Sequence, residues 1–366
     1  MGAFLLPLTL INRGCSRAPD GLIKAGLEAA LYILAAALPL GLIWMAWQLG
    51  WDLFRWEGGR PVVPLPLSFF TTLSLTTFAL YTVVDIRRHL LGSETVEGVR
   101  IRRELIPYHP RKGDPRVFPR RWNGIFDLNL VQVTVEVPGL NPSLEGLRLG
   151  HLTDFHLGKE CHRNFIRYAI EKLLEASPDL IAITGDFVNF SRYLDECFGA
   201  LADVHPPLGV YAVRGNHDYW VGGDRIGKRI TDLGFTLLDN KTVEVEKEGA
   251  RILLSGIESR WNKAGTPLDY IPLRDERLEI VLSHTPDEFP RVAKRNPHLV
   301  LSGHTHGGQI CLPFFGPVVV PSDYGRRYAS GVFKRGGSLL YVSRGVGCYP
   351  PFRTLCDPEI TVFEFV

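Results

Sequence analysis

The side chains able to do chemistry in this chain come in short groups, each behind an apolar run. They are Asp154 and His156 in T-D-F-H, Asp186 in T-G-D-F, and Asn216, His217 and Asp218 in G-N-H-D, followed by His284 in L-S-H-T and His304 and His306 in G-H-T-H. Together they offer three carboxylates, one amide and five imidazoles. That donor set suits borderline divalent metals such as Mn, Fe or Zn better than Ca or Mg, which prefer all-oxygen shells. A lone D-x-H or G-D says little, because both occur in ordinary turns. Two polar, metal-capable side chains behind a glycine, as in G-N-H-D and G-H-T-H, rarely serve packing.

Something must bring these groups together. Alternation in LVQVTVEV (130–137) predicts a strand, and GLRLGHLTDFHLG (146–158) predicts a second one running into a turn. Further strands are expected at 178–187, 208–218, near 235–257, at 278–286, 298–309 and 338–347, and at the C-terminal 359–366, with helices over 162–176 and 191–203. Strands alternating with helices, followed by a β-rich second half, predict an α/β domain with helices outside two packed sheets. Every chemical group above falls at the carboxyl end of a predicted strand. In open α/β sheets ligands collect at that edge, so residues far apart in sequence can meet there. In T-D-F-H the Asp and His are two apart and project to the same side of an extended segment.

The ordered set D-x-H, G-D, G-N-H-D, H and G-H-T-H, at 154–156, 185–186, 215–218, 284 and 303–306, resembles the calcineurin-like metallophosphoesterase superfamily over roughly residues 146–366. The stretches PLGVYAVRGNHDYW, SGHTHGGQICLPFFGP and SRGVG look further like its membrane-associated bacterial YkuE/YaeI-like branch. That branch includes enzymes cleaving the pyrophosphate of a UDP-diacylglucosamine lipid precursor. The resemblance implies a four-layer α/β/β/α sandwich with two divalent metal ions. Asp154, His156 and His306 would bind one metal, Asn216, His284 and His304 the other, and Asp186 would bridge them. It implies hydrolysis by metal-activated hydroxide, with His217 as proton donor to the leaving oxygen and Asp218 orienting it.

The chain has 366 residues, 41 Lys+Arg against 39 Asp+Glu, and 45% hydrophobic residues, which excludes a disordered chain and gives no general case for nucleic-acid binding. The apolar residues are unevenly spread. Ala29 to Trp51 is 23 residues without a charge, with Trp44, Trp47 and Trp51 at its far end. At about 1.5 Å per residue it can cross a bilayer core. A second uncharged stretch at 65–84 completes a predicted transmembrane hairpin within an N-terminal membrane region, 1–84. Residues 85–128 read as a basic juxtamembrane linker and 129–366 as the metallophosphoesterase domain. Ten basic residues against five acidic ones over 85–121 predict cytoplasmic termini, with this stretch against anionic headgroups at the cell membrane. Six cysteines with no C-x-x-C pair read as incidental thiols in a reducing compartment.

These readings together predict a membrane-anchored dimetal phosphohydrolase acting on a phosphodiester or pyrophosphate in a lipid-linked substrate, with a lipid bilayer as partner. The alternatives are a broad-specificity phosphodiesterase on soluble nucleotides and a non-catalytic metal-binding scaffold. A transporter would need more spans and charges within them. Arg214 and Arg344, beside glycine-rich turns, are lesser candidates for a substrate phosphate. Asn189 and His151 read as supporting residues, and His162, His205 and His298 have no motif context. Phe314, Phe315, Tyr349 and Phe352 could line an apolar rim.

Overall fold

The computed structural model describes residues 96–110, 114, 123–158, 161, 163–258, 267–312 and 316–366, together with the strands Trp56–Glu57 (β1) and Arg60–Pro61 (β2). The chain divides into two compact units, Met1–Ser93 and Glu94–Val366. In the first, β1 and β2 pair antiparallel. Both predicted spans, 29–51 and 65–84, lie outside the described residues. Among the described residues no helix is long and apolar enough to cross a membrane.

The second unit is built on two mixed sheets. Its strands are Val99–Pro107 (β3), Asp127–Val135 (β4), Arg148–Leu152 (β5), Leu180–Ile183 (β6), Val210–Ala212 (β7), Thr236–Leu237 (β8), Lys241–Lys247 (β9), Ala250–Ile257 (β10), Leu278–Ser283 (β11), Leu299–Ser302 (β12), Cys311–Leu312 (β13), Gly316–Pro317 (β14), Gly331–Arg335 (β15), Ser338–Val342 (β16) and Glu359–Phe365 (β17). Seven strands form one sheet in the order β3-β4-β17-β5-β6-β7-β8, and six form the other in the order β15-β16-β12-β11-β10-β9. The strands that carry the chemical motifs run parallel: β5 to β8 in the first sheet, and β10, β11, β12 and β16 in the second. Parallel strands covered on both faces favour apolar residues throughout, as in LIAI at β6, which is buried at every position.

Leu149, Leu180, Leu254, Ile280 and Phe363 fill the space between the sheets. Helices Arg163–Glu175 (α1), Leu194–Leu201 (α2) and Asn216–Asp232 (α3) cover the outer face of the first sheet. In α1 the buried residues are Phe165, Ile166, Ala169, Ile170 and Leu173, a stripe at three- and four-residue spacing. Over the second sheet the helical layer is thin. Among the described residues it consists of the single turn Phe289–Val292 (α4) and two 3-10 turns, Pro286–Glu288 and Gly325–Tyr328, packed through Phe289, Val292 and Tyr328. The α/β sandwich expected from the sequence is present, with its second helical layer reduced.

The sequence reading is corrected at residues 85–128. Part of that stretch, β3, is an edge strand pairing antiparallel with β4 along its whole length. Its Val99 and Ile101 pack against the inter-sheet core, while Arg100, Arg102, Arg103 and Glu104 face solvent. Dense charge hid the alternation, and it serves a purpose, because a charged edge strand resists pairing with another chain. Cys197, Cys348 and Cys356 are buried free thiols and Cys311 is half-buried and free.

Candidate metal centre

The candidate ligands come from both sheets. Asp154 and His156 follow β5, Asp186 follows β6, Asn216 opens α3 after β7, His284 follows β11, and His304 and His306 follow β12. Five of them, Asp154, His156, Asp186, His304 and His306, hold φ between 44° and 68°, a region non-glycine residues seldom occupy. Such backbone persists only where surrounding contacts over-determine it, and it turns these side chains inward from the strand ends. Glycines make room for the turns. A Cβ on Gly215 would overlap the Asp186 carboxylate, and one on Gly303 would overlap that of Asp154.

Two clusters result. In the first, the Nε2 atoms of His156 and His306 are 3.0 Å apart, and Asp154 Oδ1 lies 3.8 Å and 3.7 Å from them. In the second, His284 Nε2 lies 3.0 Å from Asn216 Oδ1 and 3.1 Å from His304 Nδ1. Asp186 belongs to both, since its Oδ2 is 3.3 Å from His156 Nε2 and 3.3 Å from His284 Nε2. Asp154, His156, Asp186, Asn216, His284, His304 and His306 are all buried.

The hydrogen bonds behind the rings determine what these clusters can hold. His284 Nδ1 donates to the Thr184 carbonyl at 2.7 Å, and His156 Nδ1 donates to Asn189 Oδ1 at 2.7 Å, an oxygen oriented by the Asn189 amide bond to the His156 carbonyl at 3.2 Å. In the neutral rings both Nε2 atoms therefore carry lone pairs directed at other acceptors. Lone pairs converging on carboxylate and amide oxygens have no internal partner, and a cation satisfies them all. The donor set thus fits divalent metal, with the outer partners fixing the tautomers as metal-site histidines require. Burial alone would push the Asp154 and Asp186 carboxyls up. The imidazoles opposite, when they are protonated rather than neutral, His306 foremost at Asp154 and His284 at Asp186, hold both below the usual carboxylate range.

A scan against family models matches residues 147–308 to the calcineurin-like phosphoesterases. The metallophosphoesterase YkuE of Bacillus subtilis is 34% identical over 230 residues, covering 60% of this chain and 79% of that protein. The chain is a calcineurin-like phosphoesterase. The phosphodiesterase YaeI of Escherichia coli is 33% identical over 223 residues, covering 59% of this chain and 80% of YaeI. The UDP-2,3-diacylglucosamine pyrophosphatase LpxG of Chlamydia trachomatis is 27% identical over 307 residues, covering 66% of this chain and 92% of LpxG. Membership makes the chain a metal-dependent phosphoesterase hydrolase, and its buried His/Asp clusters are consistent with the dimetal site of that family.

In this calcineurin-like phosphoesterase His217 stands at the mouth of the centre. Its ring lies 4.6 Å from that of His156, edge to face, and its backbone N–H donates to Asp186 Oδ1 at 2.9 Å. Asp218 does not meet the sequence expectation. Its carboxylate is fully buried behind the site and accepts the backbone N–H groups of Asp186, Phe187 and Gly215 at 2.9, 2.9 and 2.8 Å. Neighbours on a helix point about 100° apart, so Asp218 and His217 cannot serve one direction. Asp218 therefore braces the loop of Asp186 and does not orient His217.

The lesser candidates resolve as well. Arg214 pairs with Asp239 and Glu258 and stacks on Tyr219, and Arg344 Nε pairs with Glu359 Oε2 at 2.6 Å. His151 is buried against Thr184, and burial pulls its imidazole down to about 4, so it stays neutral. His298 accepts the Glu279 N–H. His162, Phe314 and Phe315 lie outside the described residues.

Sequence reasoning missed Arg353, which is fully buried. Its guanidinium donates to the carbonyls of His306, Arg344, Gly345, Gly347 and Cys356, tying the His306 turn to the C-terminal loops. Nothing in PPFRTLC marked it, because the carbonyls it serves are up to 47 residues away.

Proposed function

We propose that the chain is a membrane-anchored hydrolase of a phosphodiester or pyrophosphate bond in a lipid-linked substrate, with its metal centre at the cytoplasmic face. The observation that carries the chemistry is the single oxygen, Asp186 Oδ2, placed 3.3 Å from His156 Nε2 and 3.3 Å from His284 Nε2. A carboxylate oxygen shared between two donor clusters suits a pair of cations, and two cations when bound would lower the pKa of an attacking water and neutralise charge on the phosphoryl oxygens.

The chain's own residues divide the remaining work. Asp154, His156 and His306 hold one side of the centre, and Asn216, His284 and His304 the other. Asp186 fixes their separation. His217, at the mouth, gives its proton to the leaving oxygen, which would otherwise depart as a high-energy alkoxide or phosphate anion. The 23 uncharged residues from Ala29 to Trp51 and the basic stretch after 84 support the anchor, and the activity for which LpxG is named supports a lipid-linked pyrophosphate.

Purified full chain, reconstituted with manganese, is assayed on matched soluble and lipid-linked phosphodiesters and pyrophosphates. Faster turnover of the lipid-linked member is expected. Equal rates on both would replace this reading with a broad-specificity phosphodiesterase whose anchor serves location only.

A further inference from the structure

Beside His217 the surface is aromatic and exposed. Trp220 is 50% exposed, Tyr349 49% and Phe190 41%. Their rings connect through His217: its centroid lies 4.4 Å from that of Trp220 and 6.3 Å from that of Tyr349, and Tyr349 lies 6.5 Å from Phe190. Large apolar side chains grouped this way at a catalytic mouth mark a binding surface. A basic side chain lies against them. The segments 189–193, 219–223 and 345–356 contain no Asp or Glu, and the Arg192 guanidinium stacks at 4.9 Å over Phe190 and 4.9 Å over Tyr193.

The geometry points to Trp220, Tyr349 and Phe190 forming a shelf that binds a hydrocarbon chain on the leaving-group side of an anionic, phosphorylated amphiphile. This rests on the reading of His217 as proton donor, which places the leaving group against it. A hydrocarbon chain fits better than a nucleobase because the rings are mutually tilted. Trp220 is inclined 48° to His217, Tyr349 69° to His217, and Phe190 82° to Tyr349. A planar base needs a parallel face pair to be sandwiched, whereas a flexible chain packs along edges and faces alike. The Arg192 guanidinium beside the shelf suits the negative charge of such a substrate.

The test is calorimetric binding of n-octyl phosphate and methyl phosphate to manganese-reconstituted full chain in detergent, with and without Trp220→Ala and Tyr349→Ala together. Octyl phosphate is expected to bind about tenfold tighter than methyl phosphate to the unaltered chain, and the double variant to bring that ratio within about twofold. Partition into detergent is common to both chains, so the change between them is what counts. Trp220→Phe, which retains an apolar ring, should keep most of the preference. An unchanged ratio in the double variant overturns the shelf. Turnover of methyl and octyl phosphodiesters separates the two readings. Hydrolysis of neither, with the binding preference intact, removes the proposed phosphodiester cleavage and leaves the shelf. Equal hydrolysis of both, with equal affinities, leaves the hydrolase and removes the shelf.

Discussion

Asp218 Oδ2 accepts the backbone N–H of Asp186 at 2.9 Å, so one carboxylate holds another in place through the main chain. The same group also takes the N–H of Phe187 and of Gly215, and thereby fixes the turn in which Asp186 sits at φ 57°. Asp218→Asn sets an amide donor against these donors. Stability should fall by about 1–3 kcal/mol, with weaker metal binding. Denaturant midpoints and metal titration check this, and a variant as stable as the parent would remove the bracing role.

Asp186→Asn acts at the shared oxygen itself. Metal content should fall at both positions and turnover by about a thousandfold or more, because one oxygen serves both clusters. Normal occupancy in this variant, measured by elemental analysis, would show that the clusters bind independently.

For His217→Ala the expected result is a split. Turnover falls by about 10²–10⁴-fold while metal content stays near its original level, and esters with acidic leaving alcohols, which need no proton, lose least. His217 lies within reach of His156 and Asp186, so parallel loss of metal and activity would make it a ligand.

Asn189→Ala frees the His156 ring, whose Nδ1 proton Asn189 Oδ1 holds at 2.7 Å. Metal affinity should weaken by about 10–100-fold without loss of fold. Competition with a chelator of known affinity measures it, and an unaltered constant would mean that the tautomer is set elsewhere.

Arg353→Lys replaces a five-donor fork by a point charge with three. Carbonyls of five residues depend on that fork, so a loss of about 3 kcal/mol or more is expected, together with reduced occupancy of the cluster containing His306. Parental stability in thermal unfolding would contradict it.

The donor groups were legible because their chemistry is local. A glycine before Asp186, Asn216 and His304 and an apolar strand before each group are visible in any short window, and locating the strands along the chain needs no more than alternation and punctuation. Asn189 and Tyr349 were also visible, the first beside a motif and the second as an apolar side chain in a loop after the metal motifs. Arg214 and Arg344 show the limit, because two arginines beside glycine-rich turns look alike whether they face a phosphate or, as here, Asp239 and Glu359.

The sequence by itself determined which residue types meet at the strand ends and therefore that metal-assisted phosphoester chemistry is available. Tertiary structure alone decided which atoms face each other. His156 and His306 meet across a sequence separation of 150, a distance closed by strand order within two sheets. It placed Asp218 behind the loop, because helix geometry separates it from His217, and it drew β3 into the sheet, because backbone pairing with β4 and the packing of Val99 and Ile101 against the core hold it there. Local spacing specifies donors, whereas backbone register and side-chain direction specify contacts, and those exist only once the sheets have formed.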